Sequence, residues 1–221
     1  MTQTDILSLT GVGVQDASNV PLPSEGEGRQ ARPDPAIDLP PALRAPMDVS
    51  AATTADTPDI DSLLDAAFGP GRHARTASLL RAGAEPIAGV SLVARDGGRL
   101  LGSIQYWPIE LVTGDAVTPL TLLGPVAVAA DARTLGLGRR LLAASLAVAE
   151  AHGFDPILLI GDASYYGPFG FDAAATGDWQ LPGPVDRHRL LLRQTGSIVL
   201  PKIATVRAVN ASALAAPGMS A

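Results

Sequence analysis

The chain contains no cysteine and is poor in aromatic residues, which make up 4% of it. Without cysteine there is no disulfide, no zinc–thiolate site and no thiol nucleophile, so covalent catalysis through sulfur is excluded. Three histidines at 73, 152 and 188, far apart in sequence, give no ligand spacing for a metal, and no metal is expected. Lys and Arg number 16 against 22 Asp and Glu, a net charge of −6, which argues against a broad basic face for nucleic acid. Nowhere does an uncharged apolar run reach membrane-spanning length, and the opening "MTQTDILSLTGVGV" lacks the basic start and continuous apolar core of a secretory signal. The expectation is a soluble cytoplasmic protein, monomer or homodimer, with no nucleic-acid or membrane partner.

What is present is an apolar majority: 47% hydrophobic and 17% charged over 221 residues, enough for one domain with a continuous core. Residues 1–50 are rich in proline and acids, with no sustained period, and read as an extended or disordered segment acting as a linker or tether. Residues 51–195 read as the folded domain and 196–221 as a C-terminal extension.

"TPDIDSLLDAAFGPG" predicts a helix with Thr57 as N-cap, Pro58 in its first turn, Ile60, Leu63, Leu64 and Ala67 on one face, and a stop at Gly69. A second helix is expected over 72–83. Two β-prone runs then flank Asp96-Gly97-Gly98, a hairpin signal, and "TGDAVTP" marks a further turn before the strand "LTLLGPVAVAA". A helix from Gly136 to His152, a strand over 156–161, a helical turn at "SYYGPFG" and strands near 171–180 and 188–194 complete the pattern. The fold class is α/β (α+β): a mixed sheet flanked by helices.

"RTLGLGRRLLAASLAVAE" places two glycines at the start of an apolar helix. The unpaired N–H groups of a helix's first turn and its dipole favour an anion there, and Arg133, Arg139 and Arg140 add charge. The stretch lacks the GxGxxG of a dinucleotide fold and the GK[ST] of a P-loop; on its own it is equally a helix start. Upstream, Pro125 interrupts the strand "LLGPVAV", leaving the donors of Val126 and Val128 free for an extended, amide-bearing ligand.

A second informative window, "GDASYYGPFGF", gathers Tyr165, Tyr166, Phe169 and Phe171. Phe side chains there suit a core, and a tyrosine hydroxyl suits either packing or proton donation. With both windows in order, the chain resembles the GNAT superfamily of N-acetyltransferases, and within it a bacterial subgroup of predicted acetyltransferases. Arg133-Thr134-Leu135-Gly136-Leu137-Gly138 matches the Q/R-x-x-G-x-G/A motif, and Tyr166 through Phe171 resembles Y-x-x-x-G-F; the resemblance spans roughly residues 56–195.

The resemblance implies a centrally splayed sheet, the acyl-CoA N-acyltransferase fold, with acetyl-CoA as co-substrate. Its pyrophosphate would bind at Arg133, Leu135, Gly136, Leu137, Gly138, Arg139 and Arg140. Its pantetheine arm would lie between strands 121–129 and 156–161, with the thioester carbonyl on the N–H of Val126 or Val128. Tyr166 would protonate the departing sulfur. The implied reaction is direct attack by a primary amine, on a small molecule, peptide or protein, in a ternary complex. Two other readings remain open: a non-catalytic acyl-CoA sensor, and an acyltransferase using a longer acyl-CoA or an acyl-carrier protein. "LTLLGPVAV" has no titratable residue where many relatives carry a glutamate, and Pro168 replaces a basic or polar residue. Glu110 is the available candidate base, with a strand-end surface charge as its other reading. Arg72, Arg75 and Arg81 read as helix-solvating charges or as attractors of an acidic substrate.

Overall fold

The structure, a computed structural model, describes residues 48–209. The expected disorder of 1–47 and the end of the C-terminal extension, 210–221, lie outside the described residues. In chain order the elements are β1 (Asp48–Ala51), α1 (Thr57–Phe68), α2 (Thr76–Leu79), β2 (Leu92–Asp96), β3 (Arg99–Thr113), β4 (Ala116–Val128), α3 (Leu137–Ala151), β5 (Ile157–Ile160), α4 (Ala163–Tyr166), β6 (Asp178–Gln180), β7 (Leu190–Arg193) and β8 (Ile203–Ala208).

Eight strands form one mixed sheet in the order β1-β2-β3-β4-β5-β7, while β8 pairs with the second half of β3 and carries β6. The hairpin at 96–99 forms as expected. Gly97 and Gly98 take φ +52° and +86°, the two positive values that a two-residue primed turn requires, and Asp96 pairs with Arg99. β4 begins at Ala116, inside the segment read as a turn, because Gly114 and Asp115 alone reverse the chain between Thr113 and Ala116.

Helices cover both faces. α3 buries Leu137, Leu141, Leu142, Leu146 and Ala149 against Leu101, Ile104, Tyr106 and Leu123. On the opposite face, Leu80 at the end of α2 packs with Leu122, Leu158 and Trp179. α1 covers Val93, Leu100 and Ala127 with Ile60, Leu63 and Leu64. α1 starts at Thr57 with Asp56 as its cap, one residue before the expected position, and Gly69 ends it at φ +74°. The helix expected over 72–83 is interrupted. Residues Pro70–Ala74 form a 3-10 turn, Arg75 is extended at ψ 150°, and only Thr76–Leu79 is α-helical.

Two strands escaped the sequence reading. β1 lies at the end of the segment read as extended or disordered and pairs antiparallel with β2. β8 lies in the segment read as an extension, yet Ala204 and Val206 are buried on the sheet, and Trp179 Nε1 donates to Pro201 O at 2.9 Å. Both strands are short and alternate without a strong apolar signal, so their pairing rests on the edges that β2 and β3 expose.

Candidate active site

β4 carries the defining feature. Its pairing with β5 covers only Thr121↔Ile157 and Leu122↔Leu158, the parallel contact at the sheet's centre. Beyond Leu122 the two strands part. At the same point the register between β3 and β4 shifts, since Leu123 faces Tyr106 while Val126 faces Ile104, so β4 carries one extra residue around Gly124-Pro125. Gly124 sits at φ +121°, a conformation other residues resist, and Pro125 has no N–H to give.

This bulge sets which way the backbone points. The Ala129 N–H donates to Leu101 O on β3 at 2.8 Å. Alternation along the strand then turns the N–H groups of Val126 and Val128 to the other edge, toward the gap. Sequence reasoning reached both residues from Pro125 alone.

A cleft of about 870 Å³ opens at the gap, lined there by Leu122 through Val126, by Ile160 and Gly161 at the end of β5, and by Tyr165 and Tyr166 of α4. The Tyr166 ring lies directly on Gly161: a Cβ built on that glycine would stand 2.4 Å from Tyr166 Cε2. Tyr166 stacks edge-on with Tyr165 at 4.9 Å and with Phe171 at 6.1 Å. No hydrogen bond from a described residue figures among the influences on its hydroxyl. Burial first, then the neighbouring Tyr165 and Asp162, push its pKa from 10.0 up to about 12. The phenol is therefore a neutral donor across the ordinary pH range.

The glycine turn lies at the start of α3. Gly136 caps the helix at φ 67° and ψ 12°, with open space around it, so its role is conformational. The Arg140 N–H already bonds back to Gly136 O at 3.1 Å, which leaves the N–H groups of Leu137, Gly138 and Arg139 as the unpaired first turn. The Leu137 side chain is wholly buried and Leu135 packs on the same core, so only their backbones bear on a ligand. Gly138 differs from Gly136. A Cβ there would meet the Tyr165 hydroxyl at 2.7 Å, so the missing side chain makes room for the aromatic window.

The arginines divide as well. Arg133 Nε reaches Val128 O at 3.4 Å, the Arg139 guanidinium lies 5.6 Å from the ring centres of both Tyr165 and Phe169, and Arg140 is exposed. The two sequence windows, about thirty residues apart in the chain, thus meet through Tyr165 on Gly138 and Arg139 on Phe169.

Glu110 does not join them. It sits on β3 opposite Pro119, paired with Arg207 of β8 at 2.8 Å. At about 3.3 Å per residue the Pro119 level is roughly 20 Å along β4 from Val126. Its carboxylate completes a cross-strand ion pair, and the candidate base of the sequence reading is withdrawn from the site. The residues that sequence reasoning left at the margin do reach the cleft: Arg72, Arg75 and Arg81 line it, with Asp162, Asp186 and Arg189. Their signal was the density of arginine at 72–81. Three of the four arginines lie on the interrupted helix, whose break at Arg75 a periodicity argument does not foresee.

A mixed sheet parted beside its central parallel pair, with a glycine-capped helix following the parted strand, defines the class of acyl-CoA N-acyltransferase folds. The sequence profile described as "Acetyltransferase (GNAT) domain" matches residues 48–174, so the chain belongs to the GNAT acetyltransferase family. The chain is 30% identical over 130 residues to the uncharacterized N-acetyltransferase YhbS of Escherichia coli K12, covering 58% of this chain and 75% of that protein. It is 29% identical to YjhQ of the same organism, over 58% of this chain and 71% of the other. Among solved structures, a GNAT acetyltransferase from Brucella melitensis in complex with acetyl-CoA superposes with a TM-score of 0.55 and 27% identity, over 75% of this chain and 97% of that one. YhbS from Escherichia coli in complex with CoA superposes at 0.58 and 24% identity, over 74% and 89%. Among the described residues no helix is long and apolar enough to cross a membrane.

Proposed function

We propose that the protein transfers the acetyl group of acetyl-CoA to a primary amine by direct attack. The observation that carries this reading is the meeting, in one cleft, of the unpaired edge of β4 and Tyr166. The related structure that contains acetyl-CoA supports the choice of donor.

The N–H groups of Leu137, Gly138 and Arg139 suit the pyrophosphate, with Arg133, Arg139 and Arg140 adding charge. The pantetheine amides add to the free edge of β4 as a strand would, and the N–H of Val126 or Val128 polarises the thioester carbonyl. A neutral amine nitrogen forms the new C–N bond, the C–S bond breaks, and the CoA sulfur takes the proton of the Tyr166 hydroxyl. The nitrogen's surplus proton, and the proton an ammonium acceptor must lose first, leave to water or to Asp162 or Asp186, the carboxylates that line the cleft, and solvent returns a proton to Tyr166. Binding both substrates together makes the attack effectively unimolecular.

Release of free CoA, followed with a thiol reagent across a panel of amines, tests the reading. Turnover of at least one amine, with acetyl-CoA raising the melting temperature, is the expected result. If acetyl-CoA neither stabilises the protein nor is consumed, acetyl transfer is wrong; if it stabilises without turnover, the site is a sensor.

A further inference from the structure

The cleft also holds cations that the chemistry above leaves unused. Arg72, Arg75 and Arg81 reach it from the segment around α2, and Arg189 from the chain just before β7, against Asp162 and Asp186 alone. This concentration of positive charge stands out in a chain of net charge −6.

Two of the four are already matched. Arg72 lies 2.6 Å from Asp65 and 3.0 Å from Asp61, and Arg189 lies 3.4 Å from Asp162. Arg75 and Arg81 meet no carboxylate among the described residues. The Arg75 guanidinium rests over the Phe68 ring at 5.5 Å and reaches only Phe68 O, at 3.4 Å.

Arg81 is the more withdrawn from water. Its Nε donates to Ala77 O at 3.0 Å within its own turn, and one terminal nitrogen reaches Ser78 Oγ at 3.5 Å. Its guanidinium stacks 5.3 Å from the Trp107 ring centre, and the Trp107 Nε1 donor is itself buried without a partner among the described residues. Burial first, and then the like charge of Arg72, lower the Arg81 pKa, against a smaller pull from Asp61 that raises it. A guanidinium held by stacking, with most of its donors free, matches a carboxylate in geometry as well as charge.

Its side of the sheet matters too. Leu80, next to Arg81, packs on the face carrying Leu122 and Leu158, whereas α3 packs on the face carrying Leu123 and Leu159. A donor anchored at the start of α3 therefore enters the gap between β4 and β5 from one face, and the arginines meet the gap from the other.

We propose that the part of the cleft lined by Arg75 and Arg81 is the acceptor subsite and that Arg81, assisted by Arg75, binds a carboxylate carried by the amine. The acceptor is then an amino acid or short peptide, not a simple alkylamine. The inference rests on the acetyl-transfer reading for its chemistry but has a binding test of its own.

With CoA saturating, each of the common L-amino acids is titrated by calorimetry into the full-length protein and compared with its α-carboxamide. At least one acid is expected to bind about tenfold or more tightly than its amide, and Arg81→Gln to erase that difference while Arg81→Lys keeps part of it. The affinity for acetyl-CoA, measured separately, stays within about twofold in both variants, which also reports that they fold. Equal binding of acid and amide, no binding of either, or a preference that survives Arg81→Gln overturns the subsite. Selective, Arg81-dependent binding without any CoA release keeps the subsite and removes acetyl transfer, so the two readings fail separately. With turnover, Arg81→Gln raises KM for the acid and leaves KM for acetyl-CoA unchanged; the reverse split assigns Arg81 to the donor and overturns the proposal.

Discussion

Tyr166 illustrates how a single residue acquires a role from what surrounds it. Its motif was readable in the sequence, but the state of its hydroxyl was not, because burial between Gly161, Tyr165 and Phe171 is what raises its pKa to about 12. Tyr166→Phe is expected to lower kcat roughly a hundredfold, with the Kd of acetyl-CoA within about twofold of the parent. The sign of the pH dependence follows from the same shift. On the proposed mechanism the donor is the protonated phenol, so kcat/KM should rise with pH as the acceptor amine loses its proton and show no falling limb until pH approaches about 12. A pH–rate profile with a decline near 8 or 9 would assign the proton donor to another group. Asp56 offers a separate check on stability. It accepts the Thr53 N–H and hydroxyl at 2.8 Å each and Arg95 at 2.6 Å, bonds that hold its pKa below 3.8. A depressed carboxylate stabilises the fold above its unfolded pKa and loses that contribution as pH falls through its folded value. Asp56→Asn should cost about 1 kcal/mol at neutral pH, with the difference from the parent shrinking in acid, as denaturant titrations at several pH values would register.

Among the elements, α3 and β4 were the most legible and α2 the least. The apolar period of 137–149 and the glycine ahead of it specify a helix start wherever the chain lies, and Pro125 specifies a strand that cannot stay paired. The break at Arg75 is different: its residues suit a helix, and Thr76 instead turns its hydroxyl to Pro184 O at 2.5 Å, a partner 108 positions away. Gly136→Val tests the start of α3. Forcing a branched side chain to φ 67° should disturb the capping turn and raise the acetyl-CoA Kd by about tenfold or more, while far-ultraviolet circular dichroism reports an intact sheet. An unchanged Kd would move the phosphate elsewhere.

At the scale of the whole molecule, the sheet's closure depends on chain read from sequence as a C-terminal extension. β8 buries Ala204 and Val206, braces β3 from Ile109 to Val112 and carries β6 with the wholly buried Trp179. Ending the chain after Leu200 should lower stability by about 3 kcal/mol or more, seen as a lost or strongly lowered cooperative melt. The sequence by itself determined the side proposed for the donor: a strand stopped by proline, a glycine turn, a helix and a tyrosine window, because local propensity and backbone freedom are properties of short stretches. Only the tertiary structure decided the side proposed for the acceptor. It drew Glu110 to Arg207 and left Arg81 at the cleft with no salt bridge among the described residues, because ion pairing and burial are set by residues distant in the chain that the sheet brings together.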